Sequence, residues 1–588
     1  MPKKTIIVGG VAGGATAAAR LRRLDETAEI ILIERGEYIS FANCGLPYHI
    51  GGAIEAREAL LVQTAEGMSA KFNLSVRPFN EAVSIDRENK QITVREVETG
   101  RTYQENYDAL ILSPGASPLR PPIPGIEDAE HVFTLRNIPD TDVIIAHIND
   151  QQPKQAVVIG GGFIGVEMAE NLLDKGIKVT LVEMLDQIMA PLDFEMASIL
   201  HHHLREKGVR LILSDGVKSF QKQGRQILLS SGTVLETDLT VLAIGVRPES
   251  HLAAAAGLAL GERGGIKVNE FMQTSDAAIY AIGDAVEVTD YINGEPAMIP
   301  LAGPANKQGR IAADHICGHP SSYPGTLGTA VVKVFDMTAA STGNNEKRLK
   351  QVGIPYQALH IHPGSHAGYY PGAFPLSIKM LYHPDSGKIL GAQAVGYSGV
   401  EKRIDVMATA IQGGLTVESL QELELAYAPP YSSAKDPVNM LGFAATNLQE
   451  GFVESFQWHE VNELLKQDAY VLDVRDELER EIGLIEGSHH IPLNDLRRNL
   501  DSLPKDQPVY LYCQVGIRGY LASRILAQHG FTAKNLDGGY KTYQAVYRPG
   551  EGDHCSIEMD DSGVAHVICH PESAPEPGDQ RVSTDRRR

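Results

Sequence analysis

At 588 residues the chain is too long for one ordinary domain; at ~100–200 residues per unit it predicts roughly three to five compact domains. A hydrophobic fraction of 43% and a charged fraction of 22% exclude a mostly disordered chain, a collagen and a coiled coil. The net charge of −21 argues against broad binding to nucleic acid or to an anionic membrane and leaves room only for local basic pockets. No apolar run approaches the ~18 residues of a spanning helix. The opening MPKKTIIVGGVAGG turns glycine-rich at Gly9, before a secretory apolar segment could form, so no signal peptide is expected. Cysteines are few and odd in number (Cys44, Cys317, Cys513, Cys555, Cys569), which predicts a reducing cytoplasm rather than a disulfide framework.

Residues 5–34 read as strand, glycine turn, helix and strand: TIIV, GGVAGG, ATAAARLRRL, EIILIE. Residues 156–183 repeat the plan with AVVI, GGGFIG, VEMAENLLDKG and KVTLVE. Each turn opens a helix, where free amides and the helix dipole hold a pyrophosphate. The second copy carries the full Gly-x-Gly-x-x-Gly at Gly160, Gly162 and Gly165, with Glu183 closing the next strand. The first is imperfect: counted from Gly9, Val11 stands at the third position and Gly14 at the sixth, and Glu34 ends the second strand where a ribose hydroxyl acceptor belongs. A lone glycine turn often exists only to let a helix pack on a strand. Two, each with strand context and a terminal carboxylate, predict two nucleotide-binding domains.

Three further segments set the domain plan. SDAAIYAIGDAVE (275–287) is a strand delivering Asp284 just after a glycine, with a helix to follow. YDALILSPGASPLRPPIPG (107–125) and TDLTVLAIGVRPES (237–250) are strands ending in glycine turns, suited to chain crossings between domains. With these motifs the sequence resembles the two-dinucleotide-binding flavoprotein disulfide reductases. The resemblance implies FAD on the first unit, contacted by Gly9, Gly14, Glu34 and Asp284. It implies a nicotinamide nucleotide on the inserted second unit, contacted by Gly160, Gly162, Gly165 and Glu183. A Glu183 carboxylate accepts from a ribose diol and repels a 2′-phosphate, which favours NADH, while a neighbouring Lys or Arg would admit NADPH.

Cys44 lies in SFANCGLPYHIGG (40–52). An isolated cysteine is most often a buried structural residue; here Asn43, Gly45 and nearby amides are candidate donors to a thiolate. The next positions are Gly45, Leu46, Pro47, Tyr48 and His49, so there is no second cysteine for an internal redox disulfide. A single reactive cysteine cycles instead through a mixed disulfide, a persulfide or a sulfenic acid. The wording Ser-Phe-Ala-Asn-Cys-Gly-Leu-Pro-Tyr closely resembles coenzyme A-disulfide reductases, and the match runs through residues 1–447. That resemblance implies coenzyme A contacts from Thr16, Arg23, Ser40, Asn43, Lys71 and Lys435. Arg20 and Arg22 add charge on the first helix, Arg20 standing where some members have a neutral amide. Asn306 stands where others have a histidine that contacts the substrate. A solvated helix face is the ordinary reading of RLRRLDE. The third domain carries HAGYYPGA (366–373) and ELAYAPPYSSAKDPVN (424–439). By resemblance Tyr369 and Tyr427 reach across a homodimer to the partner's cysteine, with Tyr370 and Tyr431 as substitutes; a phenol suits a thiolate leaving group.

After a soft boundary at 447–454, residues 455–548 form another α/β pattern. AYVLDVRD (469–476) is a strand ending in Asp473 and Arg475, and PVYLYCQVGIRGYLASRILAQHG (508–530) runs strand, loop, helix. TAKNLDGGYKTY (532–543) returns as a strand and turn. The Cys-x-x-Gly-x-Arg loop from Cys513 to Arg518 makes an anion cradle at a helix N-terminus, in which Arg518 can pair with the bound anion. It resembles a rhodanese domain; a phosphatase loop typically has one more residue between Cys and Arg. Residues 549–588 hold Cys555, Cys569, His554, His566 and His570 at a spacing that fits no structural zinc pattern, so no metal site is assigned and a partly disordered tail is expected. Cys317, in ADHICGHP, is expected to pack at a helix end.

These readings combine into an α/β protein. It has two Rossmann-like dinucleotide-binding domains (FAD at 1–115 and 245–320, NAD(P)H at 116–244), an α+β dimerisation domain (321–447), a rhodanese α/β domain (455–548) and a tail (549–588). The expected activity is FAD- and NADH-dependent reduction of coenzyme A disulfide, coenzyme A persulfide or polysulfide at Cys44, coupled to sulfur transfer at Cys513. Other readings are an NADH oxidase or peroxidase using a Cys44 sulfenic acid, a rhodanese sulfur carrier with a flavin redox sensor, or the same flavoenzyme acting on a small thiol such as glutathione.

Overall fold

The computed structural model describes residues 3–547 and the backbone of two further strands, Asp553–Met559 and Ala565–Pro571. The first glycine turn feeds a five-stranded parallel sheet. Its central strand Lys4–Val8 lies between Glu29–Ile33 and Ala109–Leu112, with Ser75–Arg77 and Ile279–Ala281 at the edges. Such strands read as unbroken apolar runs because both faces of the sheet are covered: ALIL (Ala109–Leu112) is buried throughout. The second glycine turn repeats the plan, with Gln155–Ile159 between Lys178–Val182 and Leu239–Leu242. The chain crosses between these units along an antiparallel pair, Ala116–Pro118 with Val246–Pro248.

A third sheet is antiparallel and built from 330–396, in the order Ala330–Val334, Met337–Gly343, Ile389–Gly396, Leu376–Tyr382, Gln357–Ile361. Helices Val400–Gln412 and Pro437–Gln449 pack with it into one apolar core. The fourth sheet, all parallel, runs Glu454–Phe456, Ala533–Leu536, Val509–Tyr512, Tyr470–Asp473, His489–His490. No helix among the described residues is long and apolar enough to cross a membrane.

Two local expectations need correction. No helix directly follows Asp284: residues Gly283–Ala285 make one tight turn, the strand Val286–Thr289 comes next, and the helix begins only at Ala302. The alternation of buried Val286 and Val288 with partly exposed Glu287 is the period-two pattern of a strand. The Gly-Gly turn of the fourth unit does not end it, because Gly539–Val546 continues as a helix. The tail contains an antiparallel hairpin, in whose register Cys555 stands opposite Cys569 and His554 opposite His570.

Candidate active site

The two glycine turns are built by contact between backbones. At Gly9 (φ +96°) an added Cβ would lie 2.0 Å from the Ser113 carbonyl, and at Gly14 one would lie 1.9 Å from the Gly9 carbonyl. Val11 is accommodated as the residue capping the helix Ala12–Leu24. The tight positions are instead Gly10, pressed on Ile39, and Gly13, whose carbonyl a Cβ on Gly309 would meet at 2.4 Å. In the second turn a Cβ at Gly165 would sit 1.8 Å from the Gly160 carbonyl, whereas one at Gly162 would meet nothing within 4 Å. That open position caps the helix Phe163–Asp174, where an anion can approach the free amides.

The two strand-end carboxylates lean back onto their own turns. Glu34 accepts from the Gly10 amide at 3.0 Å and Glu183 from the Gly161 amide at 2.6 Å, while their other oxygens accept from Gly36 and Leu185. Each carboxylate oxygen keeps a lone pair for a ribose hydroxyl. Residues 184–188 after Glu183 are Met-Leu-Asp-Gln-Ile, without a cation for a 2′-phosphate. Asp284 makes no side-chain hydrogen bond among the described residues, and burial raises its carboxyl above the usual range although Arg136 pulls the other way. An acceptor without a partner beside the first turn suits a polyol chain. Both turns therefore fit a dinucleotide.

Cys44 is exposed and sits in the tight turn Asn43–Gly45 that opens the helix Leu46–Gly51. The amide donors expected from the sequence are spent within the turn: Gly45 N–H goes to the Ala42 carbonyl and Asn43 N–H to that of Phe41. Among the described residues the thiol reaches only the Asn43 side-chain oxygen, at 3.9 Å. The protein packed around it raises the thiol above its ordinary value, and the Glu167 and Asp284 carboxylates add to the rise. The polypeptide by itself does not make this cysteine a thiolate.

The candidate coenzyme A residues fall into two groups. Thr16 donates to Asn306 at 2.7 Å and Arg20 pairs with Asp314 at 2.6 Å, so both tie the first helix to the helix Ala302–Ile316. Arg22 is buried and donates to the carbonyls of Asp25, Glu26, Ala28, Phe72 and Asn73, so it adds no charge to a pocket. Arg23, Lys71 and Lys435 are exposed, with no ion-pair partner among the described residues. Ser40 is held at φ +46°, donating its amide to the Gly10 carbonyl, which places the start of the Cys44 segment on the first glycine turn. Tyr369 and Tyr427 are brought together, hydroxyl to hydroxyl at 2.6 Å. They are 75% and 46% exposed, open to a second molecule. Cys317 caps the C-terminus of the helix Ala302–Ile316.

In the fourth unit Cys513 is fully buried beneath its loop, and the Gly516 amide donates to its sulfur at 3.1 Å. Arg518 does not face the sulfur freely. Glu479 takes both its terminal nitrogens, at 2.6 and 2.7 Å, and Asp476 adds a contact at 3.3 Å. Arg475 is buried, paired with Asp473 and lying 4.3 Å over the Tyr540 ring, and it donates to the Gln514 side chain inside the loop.

Comparison with known proteins now decides the family. Residues 3–309 match the model described as pyridine nucleotide-disulphide oxidoreductase, 329–437 its dimerisation domain, and 457–546 a rhodanese-like domain. The chain belongs to the pyridine nucleotide-disulphide oxidoreductases. A coenzyme A disulfide reductase from Staphylococcus aureus is 39% identical over 447 residues, covering 76% of this chain and 100% of that protein. The crystal structure of reduced Bacillus anthracis CoADR-RHD superposes with a TM-score of 0.92 at 57% identity, covering 93% of this chain and 98% of that one. The NAD-dependent persulfide reductase from A. fulgidus gives 0.86 at 40% identity, covering 92% and 100%.

Two features of this oxidoreductase escaped the sequence reading. Glu167, on the helix Phe163–Asp174, accepts from the Tyr48 hydroxyl at 3.3 Å, one helical turn after Cys44. Burial pushes the Glu167 carboxyl up to about 7, with Glu170 adding and the tyrosine bond opposing. The signal was a glutamate in an otherwise apolar first turn, FIGVE. The second is a carboxylate cluster, Asp193, Glu195 and Glu346, close enough to hold a cation. Lys379, fully buried, fills it with contacts to all three. Glu479 was legible as the last residue of an Asp-x-x-Glu capping box with Asp476.

Proposed function

We propose that the chain is an FAD- and NADH-dependent reductase of coenzyme A-linked disulfides, persulfides or polysulfides, with Cys513 handling sulfane sulfur. It works as a homodimer, and the scarcity of cysteines suits the cytoplasm. The observation that carries the reading is Cys44: exposed, in a segment that the Ser40 amide ties to the first glycine turn, with no second cysteine in 45–52. The Cys44 thiolate attacks one sulfur of the substrate disulfide. That S–S bond breaks, a Cys44 mixed disulfide forms, and the departing thiolate takes a proton. Two electrons and a proton then reopen the mixed disulfide to the Cys44 thiolate and a second thiol. FAD and NADH, when bound, supply those electrons.

The remaining roles fall to the chain's own groups. Tyr369 and Tyr427, presented by one protomer to the cysteine of its partner, hold the proton for the departing sulfur. Arg23, Lys71 and Lys435 receive phosphates, and Thr16, Ser40, Asn43 and Asn306 receive the polar thiol chain, with Arg20 held in place by Asp314. Gly9, Gly14, Glu34 and Asp284 cradle FAD; Gly160, Gly162, Gly165 and Glu183 cradle NADH, whose 2′-hydroxyl suits Glu183 better than a phosphate does. At the rhodanese site the Cys513 thiolate takes the outer sulfur of a persulfide or polysulfide, releasing the shortened thiolate, and Arg518 pairs with the anion when Glu479 yields it. Joining the two sites raises the local concentration of a shared sulfur intermediate.

The test is NADH-dependent turnover of coenzyme A disulfide by the holoenzyme. Cys44→Ser is expected to lose on the order of a thousandfold while keeping its flavin absorbance. Cys513→Ser is expected to keep that reaction and lose sulfur loading from polysulfide. Full turnover by Cys44→Ser would rule out the mechanism.

A further inference from the structure

One buried histidine lies where three units meet, and the reaction at Cys44 makes no use of it. His360, on the outer strand Gln357–Ile361 of the dimerisation sheet, has its side chain 1% exposed. Its backbone amide donates to the Asp537 carboxylate at 2.9 Å and its Nδ1 lies 2.6 Å from the same group. Its Nε2 lies 2.9 Å from Glu195, on the helix Phe194–Glu206 of the nicotinamide unit. A ring flanked on both nitrogens by carboxylates donates from both, which makes it an imidazolium.

Asp537 leads straight into the turn that shapes the sulfur site. A Cβ on Gly538 would lie 2.8 Å from the His360 Cβ. A Cβ on the next residue, Gly539, would lie 2.5 Å from the Cys513 carbonyl, 2.8 Å from the Gly516 amide and 2.9 Å from that of Val515. The two glycines take φ of +66° and +65°, so neither position accepts a side chain. Tyr540 and Lys541 then donate their amides to the carbonyls of Cys513 and Gln514, at 2.7 and 3.0 Å. One turn thus presses on His360 with one residue and on the Cys513 loop with the next. Gln457 also donates to Asp537, at 3.1 Å, and His362 bonds Thr542 at 2.8 Å. Those contacts bind the rhodanese unit to the dimerisation sheet, and His202 on the helix Phe194–Glu206 reaches the Ala545 carbonyl at 2.9 Å; His360 joins all three units through one side chain.

We propose that His360 is a positioning residue for sulfur transfer: through Asp537 and the Gly538–Gly539 turn it holds the loop whose amides cradle the Cys513 sulfur. The inference rests on the reading of Cys513 as a sulfane-sulfur acceptor. It makes the dimerisation sheet part of the rhodanese site.

The experiment uses the full-length holoenzyme and three readouts: amide hydrogen exchange in residues 513–519, loading of Cys513 with sulfur from inorganic polysulfide, and NADH-dependent reduction of coenzyme A disulfide. In His360→Ala, loop exchange is expected to rise by about tenfold and sulfur loading to fall by about tenfold, with coenzyme A disulfide turnover within about twofold. In His360→Asn the amide stands where Nδ1 was and restores most of both losses. Asp537→Asn gives a second break in the same contact should the alanine variant fold poorly. Loop exchange unchanged in both His360→Ala and Asp537→Asn overturns the proposal, as does a fall in coenzyme A disulfide turnover equal to the fall in sulfur loading. If wild-type Cys513 takes no sulfur, the sulfur-transfer reading fails, and the exchange data alone decide whether His360 holds the loop.

Discussion

Gly162 and Gly165 stand three residues apart in one turn, and alanine at each should fail differently. A Cβ at Gly165 lands 1.8 Å from the Gly160 carbonyl, so strand and helix must part by roughly 1.5 Å to reach ordinary contact. Overpacking against backbone of this kind costs about 3 kcal/mol or more. Gly162→Ala meets nothing within 4 Å, and φ −77°, ψ −171° suits any residue. Its cost to the fold is the weaker helix cap, about 1 kcal/mol or less. Yet its methyl group would stand where the pyrophosphate approaches the helix amides. The expected result is a KM for NADH raised about 10–100-fold, or ~1.4–2.7 kcal/mol of binding, with unchanged flavin content and thermal midpoint. Gly165→Ala should instead lower the midpoint and the soluble yield. The assay is steady-state NADH oxidation with coenzyme A disulfide, alongside thermal unfolding. A Gly162→Ala enzyme whose KM for NADH stays within about twofold would refute pyrophosphate binding at this turn.

Replacing Tyr369 or Tyr427 with Phe should slow coenzyme A disulfide turnover by about a hundredfold with little change in KM, read from kcat in the two single variants. Lys379→Met removes the ammonium shared by buried Asp193 and Glu195 and partly buried Glu346, leaving Glu195 only His360, and should destabilise the protein by about 3–5 kcal/mol, measured by thermal unfolding. Burial opposes the charge on Glu346, but Lys379 outweighs it and holds the carboxyl down at about 2. A depressed carboxyl contributes stability above its unfolded value near 4.5, lost as pH falls through about 2, so the gap between variant and wild type should be widest above pH 4.5. Burial likewise opposes the charge on His360, but Asp537 and Glu195 outweigh both it and the repulsion of Lys379, raising the ring to about 9. That contribution is complete below the unfolded value of 6.5 and lost as pH rises through about 9. Trp458, the chain's one tryptophan, lies 6.4 Å from Phe194 across the same junction, so its fluorescence should shift over that window in wild type and not in His360→Ala.

The architecture was legible because its signals are local. The strand–glycine–helix repeats and the Cys-x-x-Gly-x-Arg loop each occupy one short stretch, and the backbone contacts at Gly14 and Gly165 explain why glycine stands there. What the sequence hid was pairing over long separations. Arg518 looked like a free anion partner until Glu479, 39 residues earlier, was found holding it. Cys44 looked ready to be a thiolate, but its turn consumes the amides it seemed to offer, and burial, with Glu167 from another domain adding to it, raises the thiol. Arg22 looked like surface charge in an arginine-rich helix and proved to be a buried staple between the end of that helix and the carbonyls of Phe72 and Asn73. Helix periodicity cannot report a partner supplied by a distant loop.

The junction around Lys379 and His360 also bears on how the two halves can be separated. The Staphylococcus aureus relative is matched over its full length by 447 residues here, so the rhodanese unit lies beyond the region they share. A tethered passenger would drift away once its connector was cut. This one is keyed into its host by a histidine whose amide and ring both grip Asp537, so a protease nick at 450–453 should leave the two fragments co-eluting. Recombinant halves expressed apart should each behave as an incomplete object, the reductase with an acid-lined socket and the rhodanese with an unmatched carboxylate.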